Sequence, residues 1–288
     1  MTFRSPHLIL LLLSFSLSCN LINPSEKVPT FLLLDSVKLQ SVIPTVHGSV
    51  SHKIKDVWVY YNRQLLGAYE LPARVPILAE GNGEIEMVAG IYEDGLSGLR
   101  AKYPFYTVDT LPFLSSPGNS VHYTPVFRYR TTDTPAISYF IEDFEQGNSF
   151  IASYGDTSFV KTNTPADVME GSWSSKLVVS DTARFGESRT LQGFTFPPNK
   201  IAYLELNYKS DIRFVLRVHV TTTSGSQTTI DLTGLNPSSV WNKIYFNFGG
   251  FAATYQNATF QFILSANLPS GVSEGTVLID NFKIIHFN

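Results

Sequence analysis

Cysteine is almost absent from this 288-residue sequence, which holds only Cys19 and therefore has no pair for an internal disulfide. Histidine is also sparse, and the six histidines show no metal-ligand spacing. The nucleophile elbow, the zinc-protease motif and the phosphate-binding glycine loop are missing. The sequence therefore predicts a protein without an active site or a catalytic cofactor.

A basic surface is missing as well. Lysine and arginine total 21 against 24 aspartates and glutamates, for a formal net charge of −3, and no cluster of basic residues stands out. Because nucleic-acid binding depends on such clusters, nucleic acid is excluded as an expected partner. Beyond the first 20 residues no apolar run is long enough to cross a bilayer.

The most informative motif of the sequence lies at its beginning. A basic start, an apolar run at 8–17 and a small residue before Cys19 predict a secretory signal peptide at 1–18. The apolar run is about half the ~20 residues that a membrane-spanning helix needs. Residues 19–29 are polar and contain proline, so they are predicted to be a tether.

The segment ending at Cys19 resembles the lipobox of bacterial lipoproteins, in which the cysteine becomes residue one and takes a diacylglycerol thioether. It departs from that pattern at Ser16, where the family prefers leucine. The resemblance implies lipidation of Cys19 in a Bacteroidetes-type surface lipoprotein, held by its lipid in the cell envelope at the outer membrane. The alternative is cleavage nearby that leaves a free thiol.

Strand signals dominate the remainder, and no segment keeps a helical period of apolar residues. The pair Asn62-Arg63 separates apolar runs at 54–61 and 64–71 and so predicts a hairpin. Further strands are predicted at 30–39, 84–92, near 103–109, near 121–130, and at 175–179, 201–209, 213–220, 227–232, 241–248 and 258–264.

The fold class that follows is all-β, with two β-sandwich domains. A polar stretch ending in proline predicts a linker at 132–136, between domains at 30–131 and 137–288. The order VWVYYNRQLLG, Pro72, VPIL and EGNGEIEMVAGIYEDG resembles the small sandwich modules called PEGA domains. That resemblance covers about 40 residues of pattern and implies a structural or adhesive role for the first domain.

The second domain opens with YFIEDFEQGNSF at 139–150 and closes with GTVLIDNFKIIHF at 275–287. These motifs resemble the two ends of the galactose-binding-like jelly roll found in many carbohydrate-binding modules. The resemblance implies that the first and last strands lie side by side, which brings Asp143, Glu145 and Asp280 within reach of one another. Such carboxylates suit a structural Ca²⁺, although they could equally be solvated acids at a sheet edge.

Alternation along 201–220 predicts which residues face outward. If Leu204, Leu206 and the even positions that follow face the core, the residues facing outward are Tyr203, Glu205, Asn207, Arg217 and His219. A hairpin pairing would set Glu205 opposite Arg217, with Tyr245 extending the row. An aromatic ring beside planar polar groups is typical of sugar binding, but an ordinary solvated sheet face has the same pattern.

Trp173 lies between glycine and serine residues on a predicted loop, and it is the best candidate for an exposed aromatic platform. Taken together, the sequence predicts a non-catalytic, lipid-anchored envelope protein whose second domain binds a glycan or an envelope protein. The alternative is a purely structural subunit of an envelope assembly. A glycoside-acting enzyme is the third hypothesis, because the acids needed for it fall at a sheet edge rather than across a cleft.

Overall fold

The computed structural model describes residues 26–131 and 136–288, which are rich in strands and contain two short helices. The predicted signal peptide, Cys19, residues 19–25 of the predicted tether and residues 132–135 of the predicted linker lie outside the described residues. Neither described helix has the length and apolar character that crossing a bilayer requires. The all-β prediction is confirmed.

The N-terminal half runs to residue 131 and contains a four-residue helix, α1 (Pro44–His47). Its strands are β1 (Thr30–Leu34), β2 (Lys38–Gln40), β3 (Asp56–Tyr61), β4 (Gln64–Glu70), β5 (Ala73–Ile77), β6 (Asn82–Tyr92), β7 (Arg100–Lys102), β8 (Asp109–Leu114), β9 (Ser120–His122) and β10 (Val126–Arg128). The strand predicted at 30–39 is thus two strands, and the one predicted near 103–109 is mostly irregular chain.

A five-stranded sheet and a three-stranded sheet form the body of the N-terminal half. The first has the order β4-β3-β6-β7 with β8 also on β6, and the second has the order β5-β1-β9. Leu32 and Val75 from the smaller sheet are fully buried in one core with Val57 and Met87 from the larger sheet. Each such side chain stabilises the fold by roughly 1.5–3 kcal/mol through its removal from water.

The predicted hairpin at 54–71 is present. Strands β3 and β4 pair antiparallel, from Asp56 opposite Glu70 to Tyr61 opposite Gln64. Between them Asn62 and Arg63 both have positive φ, 48° and 66°. Two successive positive φ values in a two-residue loop are the mark of a type I′ turn, whose twist matches that of the flanking strands.

The C-terminal half runs from residue 136 and contains one short helix, α2 (Gly249–Thr254). Its strands are β11 (Ile137–Glu142), β12 (Phe150–Gly155), β13 (Val160–Thr162), β14 (Ser174–Ser180), β15 (Phe185–Thr190), β16 (Ala202–Ser210), β17 (Phe214–Thr221), β18 (Gln227–Leu235), β19 (Ser238–Asn247), β20 (Thr259–Asn267) and β21 (Glu274–Phe287).

These strands form two packed antiparallel sheets. The six-stranded sheet has the order β13-β14-β21-β16-β19 with β11 also on β21, and the five-stranded sheet has the order β12-β15-β20-β17-β18. Leu204 and Leu206 of the first sheet share a core with Leu216 and Val218 of the second. The strand pair β11–β21 runs from Ile137 opposite Phe287, so the predicted adjacency of the first and last strands is confirmed.

The two halves meet at one end of β6. After that strand, Glu93 forms a bridge with Tyr245 of β19, and the Asp94 N–H donates to the Tyr245 carbonyl at 2.8 Å. At the other end of β6, the Ser115 N–H donates to the Gly81 carbonyl beside the start of β1. Eleven residues of strand separate these ends, a span of about 35 Å.

Candidate functional site

One outer face of the C-terminal sandwich is covered by the N-terminal half. We call it the sealed face and define it by Tyr203, Glu205, Asn207, Lys243, Tyr245 and Lys283. Each of these residues is at most 4% exposed, although all of them point away from the core of their own sandwich. Four of the residues predicted to bind a ligand, Tyr203, Glu205, Asn207 and Tyr245, therefore lie in an internal contact and are not open to a glycan.

Glu205 is the centre of the sealed face. Its Oε2 lies 2.6 Å from Lys243 Nζ and 3.6 Å from Lys283 Nζ. Two hydroxyls from the N-terminal half donate to the same carboxylate, Tyr103 at 2.5 Å and Tyr129 at 2.8 Å. Burial alone would raise the pKa of Glu205, but the charges of Lys243 and Lys283 outweigh it and lower the pKa to about 2.

Further hydrogen bonds between the two halves stabilise the contact over the sealed face. Asn207 Nδ2 donates to Ser51 Oγ at 2.8 Å, and Lys243 Nζ donates to the Ser51 carbonyl at 2.8 Å. The Tyr203 hydroxyl donates to the carboxylate of Glu93. Such groups are expensive to bury without partners, so the partners supplied by the N-terminal half make the covered state favourable.

The predicted pairing of 201–209 with 213–220 is wrong. Strand β16 pairs with β19 and β21, whereas β17 pairs with β18 and β20 in the other sheet. Glu205 therefore lies opposite Tyr245 and Lys283, and not opposite Arg217. The predicted core positions are right, because alternation identifies the buried face of each strand but does not identify its neighbour.

Trp173 is not the open platform that its loop position predicted. It is half-buried against the core of the C-terminal sandwich, and Lys161 Nζ lies 4.7 Å from its ring centroid. Its backbone N–H donates to Glu145 Oε1 at 2.9 Å. The core of the sandwich contacts one part of the indole ring and Lys161 lies over it, so only part of the ring is free to stack on a ligand.

The remaining two predicted ligand-binding residues, Arg217 and His219, lie on the outer face of the five-stranded sheet. We call this the open face and define it by Tyr154, Glu187, Arg189, Arg217, His219, Asp231, Gln261 and Ile263. Arg217 keeps 30% of its side chain exposed, Asp231 keeps 69%, and Tyr154 is 74% exposed. The structure thus separates the predicted set into a buried part and an accessible part.

Ion pairs hold Arg217 in place. Its Nη1 lies 2.7 Å from Glu187 Oε2 and its Nε lies 2.6 Å from Asp231 Oδ1. Glu187 also accepts a hydrogen bond from the Ser153 hydroxyl at 2.8 Å. On the next row, His219 Nδ1 lies 3.0 Å from Thr229 Oγ1. A guanidinium with two fixed partners presents its remaining N–H groups in one orientation.

An apolar side chain lies beneath the polar row of the open face. Ile263 lies on the central strand β20, opposite Arg189 on one side and Arg217 on the other, and is 3% exposed. It belongs to neither hydrophobic core of the described residues, because its side chain points away from the sandwich. Since so little of Ile263 is exposed, its neighbours on the open face cover it, and the accessible surface here is polar.

Sequence reasoning missed most of this face. Glu187 and Arg189 lie in the segment FGESRT, which is short and has no regular apolar alternation, and so was not predicted as a strand. Alternating charges in that segment were the available signal for an outward row. Their meeting with Arg217 could not be seen, because β20, which lies between β15 and β17, comes much later in the chain.

The three acids predicted to hold calcium do line one cavity. Asp143, Glu145, Glu170 and Asp280 surround a space of about 250 Å³ beside α1. Glu145 Oε1 accepts the N–H groups of Ser172 and Trp173, and Asp280 accepts the Ser174 hydroxyl at 2.6 Å. Burial raises the pKa of Asp280 to about 7, and the nearby charge of Glu170 also favours its protonated form.

Those acids do not form a ready calcium site. Across residues 26–131 and 136–288, no group of three or more histidine, cysteine, aspartate or glutamate side chains is arranged to hold a metal ion. Carboxylate oxygens of Glu145 and Asp280 already accept hydrogen bonds from protein N–H groups. The raised pKa of Asp280 favours its protonated form, which is a poor ligand for calcium. The calcium site stays a prediction from the sequence.

A second concave region lies at one end of the six-stranded sheet. This groove has a volume of about 480 Å³ and is lined by Lys176, Lys209, Asp211, Pro237 and Leu278, among others. Lys176 Nζ pairs with Asp167 at 3.0 Å, and Lys209 Nζ donates to the Ala166 carbonyl. The groove is thus a second place, besides the open face, where a polar ligand could fit.

Comparison with known proteins gives likenesses in architecture. No protein-family profile and no curated protein matches the chain. Among solved structures it is similar to a family 61 carbohydrate-binding module in complex with β-1,4-galactotriose, at 12% identity and a TM-score of 0.35, covering 49% of this chain and 92% of that one.

It is also similar to the CBM22-1 xylan-binding domain of Xyn10C from Paenibacillus barcinonensis, at 14% identity and a TM-score of 0.39, covering 52% of this chain and 94% of that one. A family 11 module from Clostridium thermocellum matches at 10% identity and a TM-score of 0.37, covering 51% and 94%. With every TM-score below 0.5, the fold assignment rests on the strand order and register given above.

Proposed function

We propose that the protein is a non-catalytic glycan-binding protein and that the glycan lies on the open face. The observation that carries this proposal is the row of hydrogen-bonding side chains on the open face, which lies beside the exposed ring of Tyr154. Sugar rings present an apolar C–H side and a rim of hydroxyls. The ring of Tyr154 can pack against the C–H side while Arg217 and His219 reach the hydroxyls.

Side chains of the open face are also held in fixed positions before a ligand arrives. Arg217 is held by Glu187 and Asp231, so little side-chain entropy remains to be lost when a ligand arrives. Tyr154 stands at the margin, opposite Glu187, with its ring 5.7 Å from Phe185. An exposed aromatic ring beside a row of polar side chains offers a stacking surface at the edge of the site.

A glycan array probed with the full mature chain tests the proposal. Glycans that bind are then titrated against Arg217→Met, with Arg184→Met as the matched control, because Arg184 also pairs with an acid but lies on an exposed loop. We expect Arg217→Met to weaken binding by ten-fold or more and Arg184→Met to leave it unchanged.

Two results would overturn the proposal. If Lys209→Met abolishes binding while Arg217→Met does not, the glycan occupies the groove and not the open face. If no glycan binds across the array, the protein is better explained as a structural subunit of an envelope assembly.

We also propose that the chain is anchored in the cell envelope, at the outer membrane, by a lipid on Cys19. What supports this is the resemblance of the segment ending at Cys19 to a lipobox, and the position of the first described residues is compatible with such an anchor. Strand β1 starts at the end of the N-terminal half that lies about 35 Å from the contact with the C-terminal half. A lipid anchor at that end would hold the open face away from the membrane surface.

Fractionation of cells that express Cys19→Ser tests the anchor. We expect the variant to leave the membrane fraction, because the thioether and its acyl chains supply the membrane affinity. The Ser25→Ala variant is the matched control, since it changes a serine outside the lipobox and keeps the thiol. A Cys19→Ser protein that stays as firmly bound as the parent would contradict the proposed lipid.

A further inference from the structure

Arg189 stands out on the open face because its charge has no partner among the residues that the structure describes. It lies on β15, in the same cross-strand row as Ile263 and Arg217. Its Nε is buried and has no hydrogen-bond acceptor, and its guanidinium forms no ion pair within the described residues. A buried donor without an acceptor is costly, and for a charged group the cost is higher.

The carboxylates near Arg189 are already engaged. Glu187 gives one oxygen to Arg217 and the other to the Ser153 hydroxyl. Asp231 pairs with Arg217 from the far side of the row. The open face therefore holds two guanidinium groups and two carboxylates, but both carboxylates are directed at the same arginine.

His219 also lies on this face and does not compensate the charge of Arg189. Burial lowers its pKa from the ordinary value near 6.5, and the charge of Arg189 lowers it further. The charge of Glu187 acts in the opposite direction but is the smallest of the three influences, so the lowered pKa favours the neutral imidazole. The formal charges of the open face sum to zero, but both carboxylates face Arg217, which leaves the charge of Arg189 uncompensated at its own end of the row.

We infer that the open face takes an acidic glycan, one of whose carboxylates pairs with Arg189. This inference rests on the glycan-binding function proposed above. The planar guanidinium fork matches a carboxylate with two parallel hydrogen bonds, which a neutral hydroxyl cannot supply. Arg189 and Arg217 are two strands apart, about 10 Å, so a chain of sugar units could meet both. The ligand class is thus a glycan that contains uronic acids.

The test compares pairs of polysaccharides that differ only in charge. Polygalacturonate, polyglucuronate and polymannuronate are each titrated into the full mature chain beside their carboxyl-reduced, neutral counterparts. We expect at least one acidic member to bind ten-fold or more tightly than its neutral partner, with an affinity that falls as salt is added.

Substitutions of Arg189 then test whether its positive charge or the shape of its guanidinium is responsible for the preference. We expect Arg189→Gln to bring the affinity for the acidic member down to that of the neutral one, and Arg189→Lys to retain part of the preference. The matched control is Arg184→Gln, which removes an exposed guanidinium from a loop. Because Arg189 leaves no described partner behind, Arg189→Gln should also unfold at no lower denaturant concentration than the parent.

Failure of this inference can be told from failure of the proposed function. Equal binding of the acidic and neutral members, lost in Arg217→Met but not in Arg189→Gln, would overturn the inference and leave glycan binding intact. Absence of binding to every member of every pair, and to the array, would overturn both. Acidic preference that survives in Arg189→Gln would place the carboxylate elsewhere and contradict the assignment to Arg189.

Discussion

Glu205 shows how a single residue can be placed on the right face and still be given the wrong role. Alternation along β16 puts it outside its own core, which the structure confirms. An outward glutamate beside tyrosines has the same pattern whether it meets water, a sugar or another part of the chain. Only Tyr103 and Tyr129, which lie far away in the sequence, show that the third case holds.

The first prediction at this scale is that Glu205→Gln destabilises the protein by about 3–5 kcal/mol in urea unfolding at pH 7. The substitution keeps the shape but leaves the ammonium group of Lys243 buried without a counter-charge. It also removes the carboxylate that favours the protonated form of Lys283, whose pKa is lowered by burial to about 7. Glu274→Gln is the control, because Glu274 is exposed, and it should stay within about 0.5 kcal/mol of the parent. Equal effects of the two substitutions would contradict the buried ion pair.

The second prediction concerns acid. Because the folded pKa of Glu205 is about 2, below its ordinary 4.5, the folded carboxylate stabilises the protein fully above pH 4.5. That contribution is lost as the pH falls from 4.5 towards 2. The free-energy gap between the parent and Glu205→Gln should therefore shrink over this range, as followed by urea unfolding at a series of pH values. A gap that stays constant down to pH 2.5 would be inconsistent with the lowered pKa.

The third prediction concerns the acids around Asp280. If calcium binds the cavity lined by Asp143, Glu145 and Asp280, the melting temperature in calcium should exceed that in EDTA by several degrees. Scanning calorimetry of the parent and of Asp143→Asn measures the difference. An unchanged melting temperature would instead support the direct hydrogen bonds that Glu145 and Asp280 make to protein groups.

At the scale of elements, local sequence patterns predicted individual strands and a hairpin, but they did not predict which distant strands pair. The β3–β4 hairpin follows from two apolar runs around Asn62-Arg63, because a two-residue turn leaves few alternatives for pairing. The adjacency of β11 and β21 came from the resemblance of the terminal motifs. The partners of β16 and β17 could not be predicted, since consecutive strands of a sandwich can belong to opposite sheets.

The hairpin turn gives a fourth prediction. Arg63 has a φ of 66° and forms no described ion pair, so Arg63→Gly should stabilise the protein by up to about 1 kcal/mol. Gln64→Gly is the matched control, because Gln64 begins β4 and a strand glycine costs roughly 0.5–1 kcal/mol. Urea unfolding of the two variants should therefore show shifts of opposite sign, and shifts of the same sign would contradict the type I′ turn.

At the scale of the whole molecule, the two sheets of the C-terminal sandwich have different surroundings. The six-stranded sheet turns its outer face to the N-terminal half, and the five-stranded sheet leaves its outer face accessible. The sequence could identify outward residues on both sheets but not which sheet would be covered. Packing between distant parts of the chain decides which sheet is covered. Alternation within one strand carries no information about that packing.

Isolating residues 137–288 would therefore be a poor way to study ligand binding. Removal of the N-terminal half would strip Tyr103 and Tyr129 from Glu205 and would expose Tyr203 and Tyr245. Aromatic rings uncovered in this way would favour aggregation or non-specific contacts. Binding experiments belong on a protein that contains both halves for this reason.

Hydroxyl-radical footprinting of the protein with both halves present, read by mass spectrometry, tests this arrangement most directly. Tyr154 is 74% exposed on the open face, whereas Tyr203 and Tyr245 are 3% and 1% exposed on the sealed face. We predict that Tyr154 is oxidised at the rate of a free surface tyrosine while Tyr203 and Tyr245 are protected until the protein unfolds. Oxidation of Tyr203 and Tyr245 as fast as that of Tyr154 would contradict the account.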